Sequence, residues 1–549
     1  MKFGARTCAR VSAFALFSLL LAGFESRAAQ TDPGAALYSE GILASGQVLQ
    51  GTRVHAPPLA GTFAACESCH RRSGLGSQEG RSLIPPITGR FLFHPHSGTA
   101  IEKERPYVPG ARPDRATYTA ETLARAIRDG VDPSGRSLSY LMPRYALGEA
   151  DMQALVDHLR ALDRPHVPGV SDTDLHFATI VTPDADPARR RAMLDVIQHF
   201  FADRNNTQRL PSAQNMVPSG NALFAKKMFK VTRHWDLHLW EPKGPPSTWK
   251  EQLHKLYASQ PVFAVLSGLG ASTWEPVQEF CEEARVPCLF PNVDLVPGNA
   301  ESNFYTMYFT RGVGLEADLI AQRLLLPDSK SDAGHVTQVF RKGDIGEAAA
   351  AALATALKTK GVGESRLALS AGSATTQGPI DLSALPANET LVLWLRPDDL
   401  ASLVNLPTGA VYVSGLMGRV DDAPLPEGWR ARAHVAYVFD LPEARRVRLD
   451  YPYGWFRIRH IDLVDPRLQA DTWLACGLVS ETIKHMADTF VQDYLIERLE
   501  DTAEHRVITG HYPHLALAPH QRFASKGGYI VRADAGRAGW LAEEPWTAP

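Results

Sequence analysis

Two cysteines and a histidine at fixed spacing constrain this chain more than any other feature. In Cys66-Glu67-Ser68-Cys69-His70, one helical turn presents both thiols on one side and the imidazole follows at once. This spacing suits two thioether bonds to the vinyl groups of a porphyrin, with the histidine reaching the iron, so it predicts one covalent haem c. A redox-active CxxC or half of a zinc site is the weaker interpretation, because no second CxxC or matched histidine pair follows.

The sequence offers three kinds of second axial ligand for such a haem. Met152 belongs to an apolar pattern at helical spacing, which favours a role in the core. His94 and His96 flank a proline in a loop and stay a minority alternative. Met142 lies outside a helix, and Pro143 fixes the backbone just after it, so Met142 is the preferred ligand. A thioether there would raise the reduction potential relative to a second imidazole.

The N-terminal segment has the layout of a cleavable signal peptide. Basic residues within the first ten positions precede the apolar run Val11–Ala22, and small residues end at Ala28-Ala29. We therefore expect residues 1–29 to be removed and the mature protein to reside in the periplasm. No later run approaches the ~20 apolar residues that a membrane helix needs, so no membrane span is expected in the mature chain.

Composition bounds the remaining architecture. The 549 residues, 44% of them hydrophobic, can bury more than one core, and the formal charge of −3 without Lys or Arg clusters gives no reason to expect nucleic acid as a partner. A Pro- and Gly-containing stretch at 164–170 predicts a linker between a small domain, 30–163, and a larger one, 171–549.

The small domain resembles the single-haem class I cytochromes c. The resemblance rests on the CxxCH motif, the stretch Gly130-Val131-Asp132-Pro133-Ser134-Gly135, the Leu141-Met142-Pro143 segment and the helical pattern that ends at Leu162. It implies a small all-α domain with His70 as proximal and Met142 as distal iron ligand, and with an exposed haem edge. The long irregular insert Gly80–Arg115 departs from the smallest members of that family.

The larger domain alternates short apolar runs with longer helical patterns, which is typical of βαβ units in parallel sheets. The order of these elements resembles the type I periplasmic binding proteins, including branched-chain amino-acid receptors. That resemblance implies a bilobal α/β fold with a ligand in the cleft between the lobes. In the Phe263–Trp274 stretch, a turn leads into a helix, where Ser272 and Thr273 could bind a ligand or simply cap the helix.

Three further features of the larger domain allow structural predictions. Cys281 and Cys288 are joined by a short connection and could form a disulfide in an oxidising compartment, whereas Cys476 is expected to be a buried apolar residue. The aromatic cluster Tyr451-Pro452-Tyr453-Gly454-Trp455 is more typical of packing than of recognition.

These patterns favour a periplasmic c-type cytochrome that transfers single electrons and carries a fused solute-binding-like domain. The ligand would be a small carboxylate or alcohol, and the redox partner a periplasmic quinoprotein alcohol dehydrogenase or another cytochrome. No nucleophile, metal cluster or nucleotide-binding loop is evident, so no catalytic residue is assigned. Two alternatives stay open: an oxidoreductase with a built-in haem acceptor, and a solute receptor of an ABC-type transporter with an accessory haem domain.

Overall fold

The computed structural model describes residues 32–79, 82–94, 116–164, 166–208, 233–326, 335–486, 489–505, 510–534 and 539–549. The signal-peptide segment 1–29 and His96 therefore lie outside the described residues. Within these ranges no helix is both long enough and apolar enough to cross a membrane.

The small domain is mainly helical, but it is not all-α as expected. Its helices are α1 (Pro33–Glu40), α2 (Glu67–His70), α3 (Gly89–Phe93), α4 (Ala120–Asp129) and α5 (Glu149–Ala161). Two antiparallel hairpins lie between them, β1 (Gln50–Arg53) with β2 (Ala56–Ala60), and β3 (Ser77–Glu79) with β4 (Ser82–Ile84). The first hairpin forms because His55 takes a left-handed turn conformation between its strands.

The two end helices of this domain, α1 and α5, pack closely against each other. A Cβ on Gly34 would lie 2.2 Å from the carbonyl oxygen of Ala154, so only glycine allows this contact. Asp32 caps α1 by accepting a hydrogen bond from the Gly34 amide at 3.0 Å. Met152 is buried in the core between these helices, in keeping with its apolar pattern.

The first lobe of the larger domain contains a five-stranded, wholly parallel sheet. Its strands are β5 (Asp174–Ile180), β6 (His234–Trp240), β7 (Ala264–Leu266), β8 (Cys288–Leu289) and β9 (Thr306–Met307), in the order β6-β5-β7-β8-β9. Three helices accompany it: α6 (Pro187–Gln208), α7 (Trp249–Ser259) and α8 (Glu275–Ala284). The next helix, α9 (Val313–Leu324), packs against the sheet of the second lobe.

The second lobe contains a seven-stranded sheet in the order β11-β10-β13-β15-β16-β17-β18. The strands are β10 (His335–Arg341), β11 (Gly363–Leu369), β13 (Thr390–Trp394), β15 (Val411–Ser414), β16 (Ala433–Tyr437), β17 (Tyr529–Ala533) and β18 (Trp540–Ala542). The first five are parallel, and β17 and β18 add an antiparallel edge. A small parallel pair, β12 (Ile380–Asp381) with β14 (Leu403–Val404), lies apart. The expectation of a bilobal α/β fold with parallel sheets is thus confirmed.

The helices of this lobe begin with α10 (Ile345–Lys358), α11 (Ala374–Gln377), α12 (Pro397–Ala401), α13 (Gly415–Gly418) and α14 (Glu427–Arg430). Three longer helices follow in the chain: α15 (Pro442–Ile458), α16 (Pro466–Met486) and α17 (Gln492–His505). Of these, α16 packs against α6 of the first lobe and against α17. The pattern that predicts one helix from Asp471 to Leu499 therefore belongs to two, α16 and α17. The aromatic cluster 451–455 lies within α15, where Trp455 and Trp473 pack with ring centroids 6.5 Å apart. The Pro452 inside this helix concealed it from sequence reasoning.

The segment expected to act as a linker packs against the larger domain. Val167 and Val170 contact its hydrophobic core, and the Gly169 carbonyl accepts a hydrogen bond from the His176 amide at 2.8 Å. A Cβ at Gly169 would lie 2.2 Å from the Phe263 nitrogen. These contacts fix the connection between the two domains.

Candidate functional site

An apolar cavity lies inside the small domain. Helices α1, α4 and α5 each supply part of its apolar wall. The side chains that line it are Leu37, Leu49, Cys66, His70, Ile87, Leu92, Leu123, Ile127, Met142, Tyr145, Leu147, Leu155 and Leu159. One thiol of the CxxCH motif, its histidine and the preferred distal methionine therefore share one cavity.

His70 is held in a defined orientation at this cavity. Its Nδ1 lies 2.9 Å from the carbonyl oxygen of Pro85, and since a carbonyl can only accept, Nδ1 carries the proton. Nε2 is then left as the nitrogen with a lone pair. Burial lowers the pKa of His70, against the opposing effect of that hydrogen bond, so the imidazole is neutral. A neutral ring with its second nitrogen fixed by a backbone carbonyl is the form that ligates metals.

The two cysteines differ in their surroundings. Cys66 lines the cavity, and burial raises the pKa of its thiol to about 12, whereas Cys69 is exposed at the surface of α2. The Tyr145 hydroxyl donates a hydrogen bond of 2.8 Å to the Ala64 carbonyl, which ties the start of the motif to the segment after Met142. The motif helix is thus braced from the side that carries the methionine.

Met142 is positioned by backbone contacts on both sides. Its amide donates to the Ser139 carbonyl at 3.2 Å, and its carbonyl accepts from the Arg144 guanidinium at 2.5 Å. Arg144 pairs with Thr52 of β1 through two backbone hydrogen bonds of 2.8 and 2.9 Å. The alternative ligand His94 is exposed at the end of α3 and does not line the cavity. The apolar wall, the neutral imidazole and the facing thioether fit a haem.

The loop that follows His70 docks onto helix α17 of the larger domain. Arg71 forms an ion pair with Glu500, which is only 4% exposed and also pairs with Arg522 at 3.0 Å. The amide and hydroxyl of Ser73 donate to the two carboxylate oxygens of Glu497 at 2.9 and 2.5 Å. Burial raises the pKa of Glu497 to about 8. Buried charges are paired across this whole contact, so the two domains meet in one continuous interface.

Apolar and aromatic contacts extend the same interface. Leu75 is buried in the core of the larger domain, and the Arg72 guanidinium lies 4.6 Å from the ring centroid of Phe304. Arg164, at the start of the connection, pairs with Asp493 of α17 at 3.1 Å. The loop that follows His70 therefore packs into the core of the larger domain through Leu75.

The turn predicted to bind a ligand is engaged by a carboxylate of the chain itself. Both the amide and the hydroxyl of Ser272 donate to Asp184, at 2.9 and 2.5 Å. The Thr273 hydroxyl accepts from the Glu275 amide at 3.3 Å, at the start of α8. Thr182 donates to the other oxygen of Asp184 at 2.5 Å. These donors do suit an anion, and here the anion is Asp184.

A second cavity, small and polar, lies between the lobes. Loops that follow β8 and β9 meet the loop after β15 and the first turns of α16 there, as expected for the carboxyl ends of strands in doubly wound sheets. The residues that line it are Pro291, Asn292, Val293, Asp294, Tyr308, Phe309, Thr310, Gly312, Leu416, Arg467, Asp471 and Tyr512. These residues were not predicted from the sequence as a binding site. The one sequence feature that could have indicated them is the pair of charges, Arg467 and Asp471, at the start of a largely buried helix.

Cys281 of α8 and Cys288 of β8 are fully buried neighbours whose thiols interact with each other, and both are free thiols in this structure. Their oxidation to a disulfide stays a prediction. Cys476 is buried in α16, in line with its expected apolar role.

No protein-family model matches the chain, and no curated protein is similar to it in sequence. Solved structures with a similar fold include a fatty acid ABC transporter substrate-binding protein from Thermomonospora curvata, with 14% identity, a TM-score of 0.48 and coverage of 70% of this chain and 94% of that one. A possible leucine/isoleucine/valine-binding protein from Rhodopirellula baltica has 14% identity, a TM-score of 0.47 and coverage of 68% and 97%.

The branched-chain amino acid transporter substrate-binding protein of Streptococcus pneumoniae, solved with isoleucine, has 12% identity, a TM-score of 0.46 and coverage of 69% and 100%. At such identities and TM-scores, these likenesses assign no ligand and no activity to this chain.

Proposed function

We propose that this chain is an exported c-type cytochrome whose single haem is attached to Cys66 and Cys69, with His70 and Met142 as axial ligands. The observation that carries the proposal is the apolar cavity on which the motif, the fixed neutral imidazole and Met142 converge. When bound, haem supplies a centre that accepts and releases one electron at a time.

The side chains of the cavity would serve this group in separate ways. Pro85 holds His70 in one tautomer through the bond to Nδ1, and Tyr145 braces the motif helix against the Met142 segment. The aliphatic wall excludes water and lowers the local dielectric, which favours the less charged oxidation state of a bound redox group. Exchange of electrons with a periplasmic dehydrogenase or another cytochrome would follow at the exposed side, where Cys69 lies.

We further propose that the larger domain receives a small molecule or docks a partner between its lobes. Support comes from the polar cavity at the carboxyl ends of its strands. Because the loop after His70 is anchored on α17, the haem domain would act from a fixed position and not as a mobile tethered carrier.

A second candidate function is a solute receptor of a transporter, in which the haem is accessory. The polar interlobe cavity favours it, since a domain that only docked a redox protein would need no enclosed polar site.

The haem assignment is tested by the spectrum of the purified, exported protein. The oxidised form should show the weak near-infrared band of sulfur-to-iron ligation, and Met142→Ala should abolish it. Met152→Ala is the matched control, because Met152 is buried in the same domain but does not line the cavity. A missing band in the unaltered protein, or its survival in Met142→Ala, would show that another residue is the distal ligand.

A further inference from the structure

Strands β5 and β6 carry a cluster of histidine and aspartate side chains on one face of the first sheet. Successive side chains of a strand point to opposite faces. The parallel register pairs His176 with Asp236 and places His238 two residues further along β6, on the same face. On the opposite face, Phe177 is buried in the core. The side chains of His176 and Asp236 are 35% and 37% exposed, so solvent reaches the cluster.

Two imidazoles of this cluster meet through ring nitrogens. His176 Nδ1 and His238 Nε2 lie 2.9 Å apart, and one of them donates its hydrogen to the other. Partial burial and the neighbouring His176 lower the pKa of His238, so this ring is neutral and keeps a lone pair. Two neutral imidazoles at this distance can turn a lone pair each toward one metal ion, once the donor ring takes its other tautomer.

The separation of these nitrogens indicates which ion fits. Metal–nitrogen bonds of about 2.0–2.1 Å at a right angle place the two nitrogens roughly 2.8–3.0 Å apart, and a tetrahedral angle widens this to roughly 3.3–3.4 Å. The 2.9 Å between His176 and His238 matches the right angle. Right angles are typical of the tetragonal coordination of Cu²⁺ and Ni²⁺, and of these Cu²⁺ has the higher affinity for nitrogen ligands.

Asp236 brings negative charge next to this pair. Its Oδ2 lies 3.7 Å from His176 Nδ1, and its Oδ1 lies 3.4 Å from Nε2 of His234. In the part of the chain that the structure describes, no group of three or more potential ligands already surrounds one point. The protein therefore offers two imidazole ligands, water completes the coordination, and the carboxylate offsets part of the charge of the cation.

We propose that His176 Nδ1 and His238 Nε2 bind one Cu²⁺ ion on this face of the sheet, with Asp236 beside it and water in the remaining positions. The site lies apart from the apolar cavity of the small domain and from the polar cavity between the lobes, because none of its residues lines either of them. It depends neither on the proposed haem nor on the proposed ligand of the larger domain.

Electron paramagnetic resonance of the full-length protein, with its haem oxidised and one equivalent of Cu²⁺ added, tests the site. The copper signal should show nitrogen splitting from two imidazoles. In equilibrium dialysis, His176→Gln and His238→Gln should each weaken Cu²⁺ binding about tenfold or more, because one of the two protein ligands is lost. Asp236→Asn should weaken it severalfold, and Mg²⁺, which prefers oxygen ligands, should not compete.

His254→Gln is the matched control. His254 lies in α7 of the same lobe, its side chain is 40% exposed, and it also lies beside a carboxylate, that of Glu283. It has no second imidazole as hydrogen-bond partner, so its replacement should leave both the copper signal and the affinity unchanged.

Absence of Cu²⁺ binding, or unchanged binding in either His176→Gln or His238→Gln, would overturn the proposal and leave the two rings as a hydrogen-bonded pair. If these variants do not fold, modification of the unaltered protein by diethyl pyrocarbonate decides. Cu²⁺ should protect His176 and His238 from the reagent and leave His254 reactive. Equal modification of the pair with and without Cu²⁺ would contradict the site.

Discussion

The cavity of the small domain and the cavity between the lobes are built in opposite ways. The first has an almost wholly apolar wall, and its key polar atom, His70 Nδ1, is already bonded to Pro85. The second is lined by charged and hydroxyl side chains, and it leaves Asp471 Oδ1 and Thr310 Oγ1 unpaired.

The two walls differ in polarity because the two sites would hold their ligands in different ways. A group attached through two thioethers needs no polar recognition, so its walls only have to exclude water and fix two axial ligands. A ligand that exchanges has to be selected by directional contacts, so its site needs polar side chains. Substitutions and peptide mapping can break or sharpen this contrast.

The largest effect is expected at the interface that joins the two sites. Glu500→Ala would leave Arg71 and the 1% exposed Arg522 without their shared carboxylate, so it should cost roughly 3–5 kcal/mol of unfolding free energy. Denaturant unfolding of the full-length protein measures this, and cleavage by a protease at 164–170 should accelerate in parallel.

Glu149→Ala provides the control for that experiment. Its ion pair with Arg128 is exposed at the surface, so its loss should cost about 0–1 kcal/mol. Equal effects of the two substitutions would mean that the domains are not held together through Glu500.

The next largest change in stability is expected from two cysteines that lie outside the CxxCH motif. If Cys281 and Cys288 oxidise after export, the short closed loop should contribute about 2–3 kcal/mol, provided that the bond is unstrained. Peptide mapping without reduction should recover the two cysteines in one linked pair. Recovery of both as alkylated free thiols would reject the disulfide.

Sequence and structure agree best where function depends on residues that are adjacent in the chain. The CxxCH motif and the Met142-Pro143 segment were recognisable because spacing alone carries their chemistry, and the alternation of strands and helices in the larger domain was recognisable by its short apolar runs.

The interlobe cavity could not be found in that way. Its wall combines loops after β8, β9 and β15 with α16, and no local spacing relates Thr310 to Asp471. The docking of the loop after His70 on Glu497 and Glu500 was equally hidden, because it joins positions more than 400 residues apart. Strand Ala433–Tyr437 and the antiparallel edge strands were also missed, since their apolar runs are short.

A smaller effect should appear in the pH dependence of stability. Burial raises the pKa of Glu316 to about 8, against its hydrogen bonds from Ser414 and the Leu416 amide. The folded state therefore binds a proton that the unfolded state releases near its ordinary pKa of 4.5, so stability is fullest below that value and falls as the pH rises toward 8.

Between pH 5 and 7 the loss from Glu316 should amount to roughly 1–3 kcal/mol. Glu316→Gln should therefore make that part of the profile less steep, and Glu497, whose pKa burial also raises to about 8, should supply the remaining slope. Chemical denaturation at stepped pH measures it. A profile that keeps its slope in Glu316→Gln would assign the proton to another group.

The smallest effect bears directly on the contrast between the cavities. Asp471 is a buried carboxylate whose Oδ1 accepts no hydrogen bond within the described part of the chain, so Asp471→Asn is expected to raise the unfolding free energy by about 1 kcal/mol. Leu155→Asn in the apolar cavity should act in the other direction. Destabilisation by Asp471→Asn, measured without ligand, would show that this carboxylate is satisfied in the free protein.

The central claim is that Cys66 and Cys69 hold one haem, and the mass of the proteolytic peptide that contains them tests it most directly. Protein exported by a host that matures c-type cytochromes should yield this peptide heavier by one haem, with neither thiol available for alkylation. The same peptide without added mass, and with both thiols alkylated, would contradict the account.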